Sequence, residues 1–243
     1  MRNIWTIAIK ELRTYFTSPI AYAALFVFLA IVGLVFNLQK TMTPPYGMGA
    51  QANMQGLTGS MIFVLILLSP AITMRLLAEE RSSGTLEVLL TSPVREYQVV
   101  LGKYLAAVIL YGVMMVLTFE FPVFLRIYGR PDFPPILVNY VGWMLCAASF
   151  LAVGVMTSSI TRSQIAAFCM GLGILLMFWL IGIFSRTTPG SWWADVFRQM
   201  SILDHLEEFE RGTLALKSVV FFLSVIVFFL FTSIRAVESL RWR

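Results

Sequence analysis

Charged residues are scarce in this sequence. Only 13% of its 243 residues are Asp, Glu, Lys or Arg, whereas a soluble domain usually carries about 25%. Apolar residues make up 58%, and the polar residues fall into short blocks between long uncharged runs. Such a chain cannot hide its apolar surface in a water-soluble fold, so we expect the lipid bilayer to be its solvent. The net charge of +5 forms no basic stripe or block, and we therefore expect no nucleic-acid partner.

Residue types that carry chemistry are also rare. The two cysteines, Cys146 and Cys169, lie in apolar runs without metal-ligand spacing, and we interpret them as packing residues. The single histidine, His205, stands among acids without a second His or Cys, which predicts an ordinary hydrogen-bonded surface residue and no metal site. The sequence has neither a Ser-His-Asp arrangement nor a Gly-x-x-x-x-Gly-Lys-Ser/Thr phosphate loop. We expect no catalytic residues on this chain and no nucleotide, metal or other cofactor bound by it.

Six apolar segments are long enough to cross a membrane. A hydrocarbon core of about 30 Å needs roughly 20 helical residues, and in lipid the backbone must satisfy its own hydrogen bonds. Pro70 should kink the second segment, which we expect to continue as helix towards Glu80 outside the lipid. We predict an all-α, polytopic membrane protein whose spans are Ile20 to Leu38, Gly59 to Met74, Tyr104 to Leu125, Ile136 to Ser158, Ile165 to Phe184 and Ser218 to Ile234.

The distribution of Lys and Arg predicts the orientation. Most of the 18 basic residues lie on one side if both termini are cytosolic, with the strongest bias at the termini and between the second and third spans. We therefore predict a six-span domain at residues 19–234 and a cytosolic tail at residues 235–243. The fourth and fifth spans carry small residues four apart, which should let helices approach closely and contact protein rather than lipid: Ala148 and Ala152, and Ala167 and Gly171.

Residues 1–18 have an amphipathic pattern. Apolar side chains recur at steps of four, three and four, and polar ones fall on another face. A helix of this kind lies in the plane of the membrane interface, and Pro19 should end it at Ser18. The residues of the predicted apolar face are Trp5, Ile9, Leu12 and Phe16.

The loop at residues 185–217 has a similar pattern. Its apolar residues recur at helical spacing in two groups, and the Trp pair suits the headgroup region. We predict two short amphipathic helices at the outer surface between the fifth and sixth spans. The two groups are Trp192, Trp193, Val196, Phe197 and Met200, and then Leu203, Leu206 and Phe209.

Residues 78–103 form the long connection between the second and third spans. Gly84 is a natural helix stop in the left-handed conformation, and Thr85 can cap a new helix with Glu87 in its first turn. Leu86, Leu89 and Leu90 then share one face before Pro93 ends the helix. A short helix with one apolar face, held between two spans, suits docking of a cytosolic partner. An ordinary hairpin packed on the N-terminal helix explains the same pattern, and both interpretations stay open on these residues alone.

Glu120 is the acid that lies inside a predicted span. A carboxylate in lipid is costly and is a candidate functional site by default. It precedes Arg126 by six residues, about 9 Å along a helix, which places it near the outer end of the span. Local ion pairing and exposure to an intramembrane polar path are both open explanations.

The segment from Glu80 to Pro93 resembles the signature of permease subunits of the type-2 ATP-binding cassette (ABC) exporter family. The resemblance rests on Glu80-x-x-x-Gly84-Thr85-Leu86-Glu87-x-Leu89-Leu90-x-Ser92-Pro93. Three further stretches look most like the branch of gliding-motility and nitrous-oxide-reductase-maturation permeases. They are FTSPIAY at residues 16–22, PAITMRLLAEE at residues 70–80 and HLEEFERG at residues 205–212.

The resemblance implies a multi-pass subunit of the bacterial cytoplasmic membrane. Residues 1–18 would be the connecting helix, and the helix from Glu80 to Leu90 would couple the permease to a separate cytosolic ABC ATPase, which would carry ATP and Mg²⁺. A second permease copy or a sister permease is an implied partner, and an accessory protein on the exported side is a further candidate. The expected function is export of a substrate. A mechanical or assembly subunit that transmits ATP-driven motion without moving cargo is the alternative.

Overall fold

The computed structural model describes residues 2–42, 57–85, 95–128, 133–187 and 197–240. Every secondary-structure element with defined bounds in this part of the chain is an α-helix. Six segments are long and apolar enough to cross a membrane, so the all-α, six-span fold is confirmed. The helices are α1 (Arg2–Thr17), α2 (Pro19–Met42), α3 (Leu57–Ser82), α4 (Glu96–Leu117), α5 (Glu120–Tyr128), α6 (Phe133–Ile160), α7 (Gln164–Thr187), α8 (Ile202–Glu210) and α9 (Leu216–Leu240).

The helices extend beyond the predicted spans, most of all in α3, α4 and α9. Helix α3 continues to Ser82, as expected for a helix that extends beyond the lipid, and α4 begins eight residues before the predicted Tyr104. Helix α9 runs to Leu240, so the first part of the predicted tail is helical. At the other end of the chain, α1 ends at Thr17 and α2 begins at Pro19, which confirms the predicted turn at Ser18.

The third span is not one continuous helix, contrary to the prediction. It breaks at Thr118 and Phe119, after which α5 begins at Glu120. Pro122 explains the break, because it has no N–H to donate to the carbonyl of Thr118 four residues earlier. The Tyr140 hydroxyl of α6 donates to that carbonyl instead, at 2.8 Å.

Helix α6 lies at the centre of the bundle. It packs against α3, α4, α7, α8 and α9, and every residue from Cys146 to Ser159 is buried. Helices α3 and α4 are also mostly buried, whereas α2, α7 and α9 face outward over most of their length. The two cysteines differ accordingly, because Cys146 is buried and Cys169 of α7 is exposed.

Small residues allow close contact around α6, as predicted. Ala148, Ala152, Ala167 and Gly171 are all buried. A Cβ atom at Gly171 would lie 3.1 Å from Thr157 Oγ1. These faces therefore contact protein.

The helix directions define two ends of the bundle. The α1 end comprises α1, the end of α3, the start of α4, the end of α6 and the start of α7, which hydrogen bonds join to one another. The α8 end comprises α8, the start of α6, the end of α7 and the start of α9. The predicted coupling segment leaves α3 at the α1 end.

Candidate coupling site at the α1 end

Lys103 joins three helices at this end. Its Nζ atom lies 2.7 Å from Glu11 Oε1 of α1 and 2.9 Å from Glu80 Oε1 of α3, while Lys103 itself belongs to α4. The Lys103 side chain is only 2% exposed, and those of Glu11 and Glu80 are 14% and 22% exposed. Because water is largely excluded, these charge-assisted contacts are stronger than surface ion pairs. We call Lys103, Glu11 and Glu80 the charge triad.

Close packing of α1 on α4 surrounds the charge triad. A Cβ atom at Gly102 would lie 2.8 Å from Ile7 Cβ and 3.0 Å from the Ile4 carbonyl oxygen, so glycine is needed for this approach. Ala8 and Tyr15 of α1 are buried, and the Tyr15 hydroxyl donates to the Ile72 carbonyl of α3 at 2.9 Å. Burial raises the pKa of Tyr15 well above its ordinary value, and the neighbouring Glu11 adds to this effect. Tyr15 therefore remains a protonated donor.

The end of α3 is fastened to α6 and α7. The Ser158 hydroxyl of α6 accepts hydrogen bonds from the backbone N–H groups of Leu77 and Ala78, at 3.1 and 3.0 Å. Arg81 donates from Nη1 to the carbonyl of Ser159 at 3.0 Å, which satisfies an acceptor near the end of α6. The part of α3 that precedes Gly84 is therefore held on two sides, by the charge triad and by α6.

The residues after α3 agree with the predicted stop. Gly84 has a φ angle of +73°, the left-handed conformation expected there. The Thr85 hydroxyl donates back to the Glu80 carbonyl at 3.3 Å. Four of the predicted coupling residues, Leu86, Glu87, Leu89 and Leu90, lie outside the described residues.

A groove of about 500 Å³ opens between α1 and the end of α3. Charged residues from both helices line it, and the charge triad forms part of its wall. Arg75 lies there with its Nε atom 3.4 Å from Glu79 Oε2 and 3.3 Å from Gln164 Oε1 of α7. This groove lies beside Thr85, where the predicted coupling segment begins.

The four apolar residues predicted to share one face of α1 differ in exposure. Trp5, Ile9 and Phe16 are exposed, whereas Leu12 is partly buried against the core. The inward face of α1 includes the buried Ala8 and Tyr15, together with the partly buried Glu11. The exposed apolar side chains are thus free to meet lipid, in agreement with the expected interfacial helix, whose position at the interface stays a prediction.

Glu120 lies away from the charge triad, at the start of α5. It is exposed and stands in the first turn of that helix, where a carboxylate interacts favourably with the helix dipole. Local ion pairing and exposure to an intramembrane polar path both stay predictions for Glu120.

The outer loop is partly described. Residues 197–200 are helical, and α8 contains Leu203, Leu206 and Phe209, which confirms the second of the two predicted helices. Trp192, Trp193 and Val196 lie outside the described residues. His205 is buried, contrary to the prediction of a surface histidine. His205 lies four residues before Phe209 in α8, so both face the protein interior, and this helical spacing was a signal in the sequence for burial of His205.

Six spanning segments, with a buried α6 at their centre and a charge triad at one end, define a multi-pass membrane protein. A family model described as "ABC-2 family transporter protein" matches residues 34–201. This match covers more than half of the chain, and the chain therefore belongs to the ABC-2 transporter family. Membrane domains of this family are permeases of ABC transporters and are not themselves catalytic. No curated protein matches the chain.

The charge triad was not predicted, although the sequence contains a signal for it. Lys103 is the one charged residue in the apolar stretch from Tyr97 to Phe119, and Glu11 lies off the apolar stripe of α1. Charged residues in such places are rarely buried unless they are paired. That rule alone would have selected Lys103 as a residue with partners on other helices.

Proposed function

We propose that this permease subunit belongs to an ATP-driven exporter of the bacterial cytoplasmic membrane. It works as a pair with a second copy or a sister permease, and a separate cytosolic ATPase subunit binds and hydrolyses ATP with Mg²⁺. Residues 80–93 receive the motion of that ATPase, with Leu86, Leu89 and Leu90 as the docking ridge. Membership of the ABC-2 family supports the permease role and the ATPase partner.

The charge triad is the observation that carries this proposal. Glu80 stands at the start of the proposed coupling segment, and Lys103 stands where the chain has returned into α4. Glu11 adds α1 to the same contact. A displacement of the segment is thus transmitted to three helices together, because breaking the contact would leave buried charges without partners.

The proposal requires the α1 end to be cytosolic. A single cysteine at Ser83, which is exposed, tests this requirement in intact cells in a background where Cys146 and Cys169 are replaced by Ser. We expect an impermeant thiol reagent to label it only after the cells are opened. Labelling from outside intact cells would contradict the orientation.

The ATPase rate of the purified complex tests the coupling. We expect Leu86→Asp to remove partner binding and Gly84→Val to impair stimulation of hydrolysis, since a branched residue fits the left-handed conformation poorly. The matched control is Glu238→Gln, an exposed acid near the end of α9 at the same end of the bundle, which should leave both properties unchanged. Wild-type binding and ATPase rate in both variants would reject the coupling role of residues 80–93.

A further inference from the structure

A buried polar network lies at the α8 end, away from the proposed coupling site. The Nδ1 atom of His205 is 2.8 Å from the Ser218 hydroxyl, which also contacts Glu208 Oε2. His205 is 3% exposed and Ser218 is fully buried. The network joins α8, which carries His205 and Glu208, to the first turn of the span α9, which carries Ser218.

The second nitrogen of the His205 ring is also engaged. Its Nε2 atom lies 3.1 Å from the carbonyl oxygen of Gln199. The ring stacks on Phe221 with centroids 4.3 Å apart and meets the edge of Phe222 at 6.4 Å. The aromatic contacts fix the plane of the imidazole, so both nitrogens face protein partners.

The three contacts of this network need three protons. A neutral imidazole, a hydroxyl group and an ionised carboxylate together supply only two. The Gln199 carbonyl can only accept, so Nε2 must carry a proton. The contacts from Nδ1 to Ser218 and from Ser218 to Glu208 need two further protons, and the hydroxyl supplies one. The other belongs either to Nδ1, giving an imidazolium beside a carboxylate, or to Glu208, giving two neutral groups. A neutral imidazole beside an ionised Glu208 would leave one of the three contacts without a proton.

We propose that His205, Ser218 and Glu208 form a proton-binding site that fastens α8 to the start of α9. The bound proton completes all three hydrogen bonds and makes the buried histidine and carboxyl pair neutral in sum. Its release leaves a net negative charge on the pair and one contact of the buried Ser218 hydroxyl or His205 ring without a proton, which is unfavourable. Release of this proton therefore weakens the packing of α8 on the start of α9.

Other charged groups around the network belong mainly to α8. Asp204 and Glu207 flank His205 along the helix, and Glu207 Oε2 lies 3.8 Å from Arg211. Lys217 precedes Ser218 on α9 and is exposed. At the described glycines, α6 and α7 approach uncharged residues of this region. A Cβ atom at Gly142 of α6 would contact Phe209, and one at Gly182 of α7 would contact Ser201 and Leu203. Glu208 is thus the acid in direct contact with the Ser218 hydroxyl.

The single histidine allows a direct test on the full-length protein in detergent. Spectra of protein labelled with ¹⁵N-histidine contain the ring nitrogens of His205 alone. In the wild-type protein we expect both nitrogen signals to change between about pH 5 and about pH 9, together with a fall of several degrees in Tm. In Glu208→Gln the amide can donate to Ser218 without titrating, so we expect the ring signals and the Tm to stay nearly constant across this range.

Two further variants complete the test. Glu207→Gln removes a neighbouring acid outside the network, and we expect it to behave as the wild-type protein does. Ser218→Ala separates His205 from Glu208, so the ring signals should differ from those of the wild-type protein at both pH values. The proposal is overturned if wild type and Glu208→Gln have the same pH dependence of ring signals and Tm, or if Glu207→Gln removes that dependence. Because Gln preserves the hydrogen bond to Ser218, this comparison stands even where Ser218→Ala fails to fold.

Discussion

The two ends of the bundle hold their helices together by different chemistry. At the α1 end, one buried ammonium group lies between two carboxylates from separate helices. At the α8 end, a histidine, a hydroxyl and a carboxyl group share hydrogen bonds between α8 and α9. The first arrangement consists of ion pairs, whereas the second consists of hydrogen bonds that we propose to require a bound proton. The end where the proposed coupling segment leaves the bundle is therefore joined by buried ion pairs, and the opposite end by the hydrogen bonds of the proposed proton-binding site.

Removing the cation of the charge triad should have the largest effect. Lys103→Met leaves Glu11 and Glu80 facing each other in a largely buried place, so we expect the free energy of unfolding to fall by about 3 kcal/mol. Thermal unfolding of the purified protein in detergent measures this loss. The matched control is Lys217→Met at the α8 end, because Lys217 is exposed. An equal decrease in the free energy of unfolding in the two variants would show that the buried Lys103 contributes no more to stability than an exposed lysine does.

Close helix contacts at the two ends provide a matched pair of substitutions. A Cβ atom at Gly102 would lie 2.8 Å from Ile7, and one at Gly142 would lie 2.7 Å from Phe209. We expect either alanine variant to lower the free energy of unfolding by about 1–3 kcal/mol, because well-packed neighbours must move. The control is Gly173→Ala, since open space surrounds that position.

The two glycine variants should differ in what they disturb. We expect Gly102→Ala to loosen α1 and to lower the partner ATPase rate, while Gly142→Ala displaces α8 and leaves partner binding intact. The measurements are the ATPase rate of the complex and a pull-down of the ATPase subunit. The same decrease in ATPase rate and in partner binding in both variants would contradict this difference and would mean that packing defects spread through the whole bundle.

A smaller effect is expected from the hydrogen bond between α1 and α3. Tyr15→Phe removes the donor to the Ile72 carbonyl and should lower the free energy of unfolding by about 1 kcal/mol. Burial raises the pKa of Tyr15, so its contribution is fully present below the unfolded value of about 10 and is lost only as the pH rises above it. The difference between wild type and variant should therefore be constant from about pH 6 to about pH 9. A difference that changes within that range would assign the effect to another group.

Much of the fold could be predicted from the sequence, because a helix that crosses the bilayer needs an apolar segment of a defined length. The six spans, the turn before Pro19 and the stop at Gly84 all come from local composition or from the conformational limits of one residue. The break at Thr118 was also present in the sequence, as Pro122 four residues later. The prediction failed there because an apolar run of sufficient length was taken as one helix.

The contacts between distant residues could not be predicted in the same way. Glu11 and Lys103 are 92 positions apart, and only the packing of α1 on α4 brings them together. His205 was assigned to the surface because its neighbours along the chain are acidic, although the packing of α8 on α9 buries it. Local composition records which residues are polar, and tertiary packing decides which of them meet.

The smallest expected effect belongs to the exposed ion pair near the end of α9. Arg235 Nη1 lies 2.8 Å from Glu238 Oε2, nearly as close as the contacts in the charge triad, but these side chains are 63% and 42% exposed. Water and salt screen such a pair, so Glu238→Gln should change the free energy of unfolding by no more than about 0.5 kcal/mol. This variant leaves the contact of Arg235 with the Phe231 ring in place and thus tests the ion pair alone. Thermal unfolding at low and high salt measures the change beside that of Lys103→Met. A comparable loss in the two variants would mean that distance, and not burial, sets the strength of these contacts, and the contrast between the charge triad and an ordinary surface pair would be lost.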